Sequence, residues 1–169
     1  EDYCEGMCTA TPPAGHLFTE VSAGGNHICG VTTEGEVVCW EAGSDYWGQA
    51  SPPEGFTFSS ISAGQTHTCG ITTELEAICW GEDSVGASSP PDAHRFVAIS
   101  AGNNYTCGIT TDARAVCWGA DWARQASPPD SHFFTSVSTS QNNTCGVTNE
   151  NEIICWGRDD YGETTPPEL

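Results

Sequence analysis

Apolar and β-branched residues in this chain fall in short stretches that alternate with polar residues. In the segment VTTEGEVVCW, residues 31–40, they flank a polar centre without a helical apolar stripe. That pattern predicts two strands joined by a turn near Glu34. Three later segments share the frame, so turns are also predicted near Glu74, Asp112 and Glu150. The local pattern is therefore that of β-hairpins.

The hairpins belong to a unit that occurs four times. Pro-Pro pairs stand at residues 12–13, 52–53, 90–91, 128–129 and 166–167, at steps of 40, 38, 38 and 38 residues. We therefore predict an N-terminal leader, residues 1–13, and a single repeat domain, residues 14–167, with units 14–53, 54–91, 92–129 and 130–167. One unit of three or four short strands cannot bury both of its faces, so we expect the units to stack side by side.

The cysteines indicate disulfide bonds formed in an oxidising compartment, because the chain has 10 of them and contains no Cys-x-x-Cys pair of the kind that binds zinc. Pairing about each turn sets two cysteines of a hairpin opposite each other, with Cβ atoms about 5 Å apart. The predicted bridges are Cys29–Cys39, Cys69–Cys79, Cys107–Cys117 and Cys145–Cys155. Pairing between neighbouring units is the alternative. In the leader, Cys4 and Cys8 either pair with each other or link to another subunit.

The charge of the chain is strongly acidic, with 23 acidic residues, four arginines and a net charge of −19. This charge repels phosphate backbones and anionic membranes, so we expect no nucleic-acid partner. No apolar stretch approaches the roughly 20 residues of a membrane span, and we expect no membrane insertion. The chain opens on Glu1, which fits a mature secreted form. The predicted location is extracellular.

Positions that recur in the repeat units, which we call columns, form the motif F-x-x-[VI]-S-A-G-x-x-H-x-C-G-[VI] followed by V-x-C-W-G. It resembles the regulator-of-chromosome-condensation repeat, the unit of a β-propeller superfamily. The pairs Cys29-Gly30 and Cys39-Trp40, with their counterparts in the second unit, are most similar to the cysteine-bearing branch. That branch includes Crinkly-type receptor ectodomains and the propeller-type β-lactamase inhibitory protein. The resemblance implies blades around a central axis and function by protein–protein contact.

The predicted fold is thus all-β, with four blades and one disulfide per blade. The resembled family usually closes a ring with seven blades, whereas this sequence has four units. Three geometries remain open: a compact four-bladed ring, a partial ring completed by another subunit, or an open arc. The leader is expected to supply an edge strand to the last unit of its own chain or of a neighbour.

Two sets of aromatic residues have different expected roles. Tryptophans that follow the second cysteine of each hairpin recur in register and are predicted to pack between units: Trp40, Trp80, Trp118 and Trp156. Other aromatics occupy variable positions, where exposed loop residues are typical interface anchors. These candidate binding residues are Tyr46, Trp47, Tyr105, Trp122 and Tyr161.

Polar residues that recur in register suggest further sites. An aspartate stands seven residues before each Pro-Pro and is expected to cap its loop, with calcium binding as the alternative: Asp45, Asp83, Asp121 and Asp159. Asn104 and Asn142 begin N-x-T sequons and are predicted glycosylation sites. His27 and His67 share a column, which indicates a structural hydrogen-bonding role.

No nucleophile elbow, zinc-protease motif or phosphate-binding glycine loop occurs, so we expect no catalytic site and no cofactor other than the calcium alternative. The functional prediction is a secreted repeat module that binds an extracellular protein or assembles with copies of itself. One alternative is a lectin-like module that binds glycans. Another is a structural subunit of an extracellular fibre or surface layer. A third alternative, suggested only by the family resemblance, is an inhibitor of another secreted enzyme.

Overall fold

Each unit folds into an antiparallel sheet of three strands in the computed structural model, which describes residues 11–41 and 45–166. We call these sheets blades 1 to 4 in chain order. The strands are β1 Phe18–Ala23, β2 His27–Thr32, β3 Val37–Glu41, β4 Phe58–Ala63, β5 His67–Thr72, β6 Ala77–Gly81, β7 Phe96–Ala101, β8 Tyr105–Thr110, β9 Ala115–Gly119, β10 Phe134–Thr139, β11 Asn143–Thr148 and β12 Ile153–Gly157. The predictions for the leader's Cys4, Cys8 and edge strand lie outside the described residues.

The hairpins turn where the sequence pattern predicts. A residue with positive φ completes each turn, and it is glycine only at Gly35, whereas Leu75, Ala113 and Asn151 adopt φ of 63–64°. The paired strands place the two cysteines of each hairpin directly opposite each other. All four predicted disulfides are formed, with Cα–Cα distances of 4.0–4.1 Å. The hairpin pairing is therefore confirmed over the alternative between units.

The hydrophobic core lies between blades rather than inside one sheet. We call the interface between two neighbouring blades a joint. At the joint of blades 1 and 2, Cys29 and Val31 pack against Phe58, Ile61 and Trp80. Equivalent clusters fill the next two joints. A three-stranded sheet has no interior of its own, so each blade buries its apolar side chains against its neighbour.

The Cys-Gly pairs of the repeat have a steric origin. The ring of Phe58 lies over Gly70, and a Cβ on that glycine would stand 2.5 Å from the ring. The other three units show the same close approach, at 2.5–2.6 Å. Glycine is required here because any side chain would displace the aromatic residue that fills the joint.

The four blades form an open arc. The first strands β1, β4, β7 and β10 pack against one another in series, and each second strand packs on the first strand of the following blade. Among the described strands, blade 4 and blade 1 have no comparable packing. The turns that follow the first strands line one shared, shallow depression of about 270 Å³. The first strands therefore face the inside of the arc.

No helix among the described residues is long and apolar enough to cross a membrane.

Candidate binding site

The loop that follows the third strand of each blade is capped by its aspartate. In blade 1, Asp45 Oδ1 accepts the N–H of Ala50 at 2.7 Å and Oδ2 accepts the hydroxyl of Ser51 at 2.6 Å. Asp83 and Asp121 bond residues five and six positions on in the same way, and Asp159 caps its loop through the N–H of Thr164. Each of these carboxylates serves its own loop, which supports the predicted capping role.

The calcium alternative receives no support from this geometry. The four capping aspartates belong to four different blades and do not converge on one point. Within residues 11–41 and 45–166, no three side chains of histidine, cysteine, aspartate or glutamate are grouped as they would be to hold a metal ion.

The capped loops of blades 1, 3 and 4 display aromatic side chains to solvent. The exposed fractions are 79% for Tyr46, 52% for Trp47, 73% for Trp122 and 87% for Tyr161. We call these four residues the loop aromatics. All of the loops follow the third strand of their blade, so the loop aromatics lie at the same end of the strands. The corresponding loop of blade 2 carries Ser84 and Val85 instead.

Side-chain oxygens also hold the backbone beneath the loop aromatics. Gln49 Oε1 accepts the N–H of Trp47 at 3.0 Å, and Glu163 Oε2 accepts that of Tyr161 at 2.8 Å. Tyr46 and Trp47 pack edge to face, with ring centroids 4.8 Å apart. An aromatic surface on fixed loops loses little conformational entropy on binding.

The prediction that Tyr105 is a binding residue is wrong. Its side chain is fully buried, and its hydroxyl donates to the carbonyl of Asn143 at 2.6 Å and contacts Thr144 Oγ1 at 2.9 Å. Tyr105 begins β8 in the column of His27 and His67, so it faces the next blade rather than solvent. Burial raises the pKa of this phenol.

The two histidines of that column have the predicted structural role. His27 Nε2 lies 2.6 Å from Thr68 Oγ1, and His67 Nε2 lies 2.8 Å from Thr106 Oγ1 in the following blade. Thr106 donates its own hydroxyl hydrogen to the carbonyl of Ala87 at 3.1 Å. The N–H of the His67 ring must therefore be on Nε2. Burial lowers the pKa of both imidazoles, that of His67 to about 4.

The tryptophans bridge the same joints. Trp80 Nε1 donates to the carbonyl of Gln49 at 2.9 Å, and Trp118 and Trp156 make the equivalent bonds to Ala87 and Gln125. These three confirm the predicted packing between units. Trp40 has no preceding blade in the described chain, and its buried Nε1 has no hydrogen-bond partner there.

The sequon asparagines stay predicted glycosylation sites. Asn104 and Asn142 are half-buried in the turns before β8 and β11. Their backbone carbonyls accept the N–H groups of Ala120 and Arg158.

Sequence reasoning missed the threonines that lie against the two histidines and Tyr105 across the joints. Thr68, Thr106 and Thr144 share one column and are fully buried. Each links two segments, because its hydroxyl also donates to the backbone of the loop that precedes its blade. These threonines recur directly before the first cysteine of their hairpins, and this recurrence could have identified them as structural residues.

Three of the units match the family model of the Regulator of chromosome condensation (RCC1) repeat, at residues 18–40, 96–121 and 134–163. The resemblance stated from the sequence motif is thereby confirmed, and the chain is similar to β-propeller proteins built from this repeat. Among curated proteins, none matches the chain.

Solved structures give the same result. The CRINKLY WD40 ectodomain of the Arabidopsis thaliana receptor kinase ACR4 is 29% identical, with a TM-score of 0.71 over 89% of this chain and 53% of that one. The ectodomain of the Physcomitrella patens receptor kinase CR4 is 27% identical, with a TM-score of 0.77 over 96% and 48%. Prp20p of Saccharomyces cerevisiae shares the fold at 17% identity, with a TM-score of 0.75 over 90% and 46%. The chain thus spans about half the length of each.

Proposed function

We propose that this protein is an extracellular protein-binding module that acts by contact and not by catalysis. The observation that carries the proposal is the set of loop aromatics, which lie exposed at one end of the strands on loops held by aspartate caps. Tyrosine and tryptophan are enriched among the residues that dominate binding energy at protein interfaces. The four disulfides and the similarity to two receptor ectodomains support an extracellular location.

Association of copies through the two ends of the arc has less support. At the internal joints, a Cβ on Gly64 or Gly102 would stand 2.6 Å from a carbonyl oxygen of the following blade. Blade 4 has Ser140 at this position. A blade seated there with the geometry of the internal joints would bring its carbonyl into contact with the serine Cβ. The proposal therefore favours a partner different from the chain itself.

The test compares two variants in binding to a partner isolated from the secreted proteins of the source organism. One variant replaces all four loop aromatics by alanine. The control replaces Leu17 and Val97, which are 74% and 55% exposed and lie outside these loops. We expect surface plasmon resonance with the purified partner to show at least tenfold weaker binding for the loop variant and unchanged binding for the control.

Two results would contradict the proposal. Equal affinity of both variants would show that the loop aromatics do not form the contact surface. Loss of a bound glycan, rather than of a protein, in the loop variant would assign the surface to the lectin-like alternative. Thermal unfolding of each variant establishes that the substitutions leave the fold intact.

A further inference from the structure

Each joint between blades has a cleft at the end of the strands opposite to the loop aromatics. One wall is the hairpin turn of a blade, and the other is the loop that leads into the next blade. In the cleft between blades 1 and 2, which we call the first cleft, Glu34 and Glu36 face Pro53, Glu54 and Phe56. In the cleft between blades 2 and 3, Glu76 faces a loop that contains Asp92 and Arg95.

The cleft between blades 3 and 4 is filled by an arginine of the chain itself. Arg114 comes from the hairpin of blade 3, and its Nη1 donates to the carbonyls of Asp130 at 2.6 Å and His132 at 3.3 Å. The guanidinium carbon lies 4.1 Å from the centre of the Phe133 ring. Hydrogen bonding at the edge and stacking on the face are the two contacts that suit a guanidinium.

The cleft between blades 2 and 3 also contains an arginine of the chain. Arg95 Nη2 lies 3.0 Å from Glu76 Oε1, so the ion pair spans the two walls. Both later clefts therefore hold a guanidinium, although it comes from the hairpin in one case and from the loop in the other.

The first cleft has neither arginine. Glu36 stands at the repeat position of Arg114, and Thr57 stands at the position of Arg95. The cavity measures about 630 Å³, compared with about 290 Å³ for the cleft between blades 2 and 3. Its lining contains three carboxylates and the ring of Phe56, which is 42% exposed, and includes no lysine or arginine.

The carboxylate of Glu34 has two polar neighbours. A hydrogen bond from Thr33 is the main reason that the pKa of Glu34 is lowered, and His16 adds a smaller attraction. All three carboxylates are exposed, so the first cleft carries negative charge, and its described lining contributes no lysine or arginine to balance it.

We propose that the first cleft binds an arginine side chain of a partner protein. The guanidinium would lie between Glu36 and Glu54. The backbone carbonyls of Glu54 and Phe56 stand at the repeat positions of Asp130 and His132, whose carbonyls accept hydrogen bonds from Arg114 in the cleft between blades 3 and 4. Phe56 supplies an aromatic face, one residue earlier in the loop than Phe133. This site goes beyond the proposed function, because it lies at the other end of the strands and does not require the loop aromatics.

The test is an NMR titration of the disulfide-bonded protein with N-acetyl-arginine methylamide. The matched control ligand is the citrulline derivative, which has a similar shape but no charge. We expect the arginine compound to shift the amide signals of Gly55, Phe56 and Thr57, with at least tenfold weaker binding of the citrulline compound. Equal binding of both compounds would overturn the proposal.

A pair of variants separates the first cleft from general electrostatic attraction. Glu36→Arg should place a guanidinium in the first cleft and weaken arginine binding at least tenfold. Glu152→Arg makes the same charge change at the same repeat position in blade 4, where no described blade follows, and should leave binding unchanged. The milder pair Glu36→Gln and Glu152→Gln serves if an arginine variant does not fold. Equal effects of the two positions would refute a specific site, and neither variant alters the loop aromatics on which the proposed function depends.

Discussion

Two equivalent blade faces have different surroundings. One is the face of blade 2 that packs against blade 1, and the other is the outer face of blade 1, which has the same repeat positions. In blade 2, Ile61 and Trp80 are 3% and 9% exposed. In blade 1, the corresponding Val21 is 62% exposed, and Trp40 is only half-buried. The difference shows that these apolar residues stabilise the protein through the joint and contribute little within their own sheet.

The polar residues of the two faces differ as well. Thr68 in blade 2 accepts a hydrogen bond from His27 and donates one to the carbonyl of Gln49. Blade 1 has Ile28 at this position, and Asn143 replaces the histidine in blade 4. The ends of the arc therefore lack the threonine and histidine that link the internal joint, which sets them apart chemically from the joints between blades.

The largest expected effect is on packing in the joint. Ile61→Ala should lower the free energy of unfolding by about 4 kcal/mol, because it leaves a cavity between blades 1 and 2. Val21→Ala at the matching exposed position should change it by less than about 0.5 kcal/mol. Guanidinium unfolding under non-reducing conditions measures both variants. Similar losses for the two would show that blade 1 buries its outer face against something else in solution.

A second expected effect concerns pH at the joint of blades 2 and 3. Burial, opposed in part by Glu82, lowers the pKa of His67 from 6.5 to about 4. Protonation therefore favours the unfolded chain: the stabilisation is complete above pH 6.5 and is lost as the pH falls toward 4, by at most about 3 kcal/mol. His67→Tyr, which introduces the residue found at Tyr105 in the next blade, should remove this part of the acid sensitivity. Unfolding curves of both proteins from pH 7 to 4 measure it, and parallel pH profiles would contradict the assignment.

The smallest expected effect distinguishes the tryptophans. Trp80→Phe removes the hydrogen bond to the carbonyl of Gln49 and should cost about 1 kcal/mol. Trp40→Phe removes an N–H that has no partner among the described residues, so it should cost less or slightly stabilise the protein. Denaturant midpoints of the two variants give the comparison. An equal cost at Trp40 would mean that its indole N–H finds an acceptor in solution.

Much of the fold was predictable because the chain repeats itself. Four copies of one hairpin place Cys29 opposite Cys39 whatever the surroundings, since cross-strand pairing is a local property of the turn. The recurring tryptophans were likewise predictable as packing residues. Tyr105 was not, because an aromatic at a variable position is compatible with either a binding loop or a joint. Its side chain is buried, and its hydroxyl meets Asn143 and Thr144 of the next blade, which are contacts that the spacing along the sequence does not show.

Of the candidate sites too, some could be predicted from the sequence and others could not. The capping aspartates follow from their constant distance to the prolines, because a loop closes over a few residues. The first cleft could not be recognised from the sequence, since Glu36 and Glu54 come from different units and only the joint brings them to one cavity. The repeat, the strands and the disulfides could be predicted without the structure, because the pairing of strands and cysteines depends on contacts over about ten residues. The open arc and the side chains that meet between blades could be found only from the folded chain, because those contacts join residues about forty positions apart.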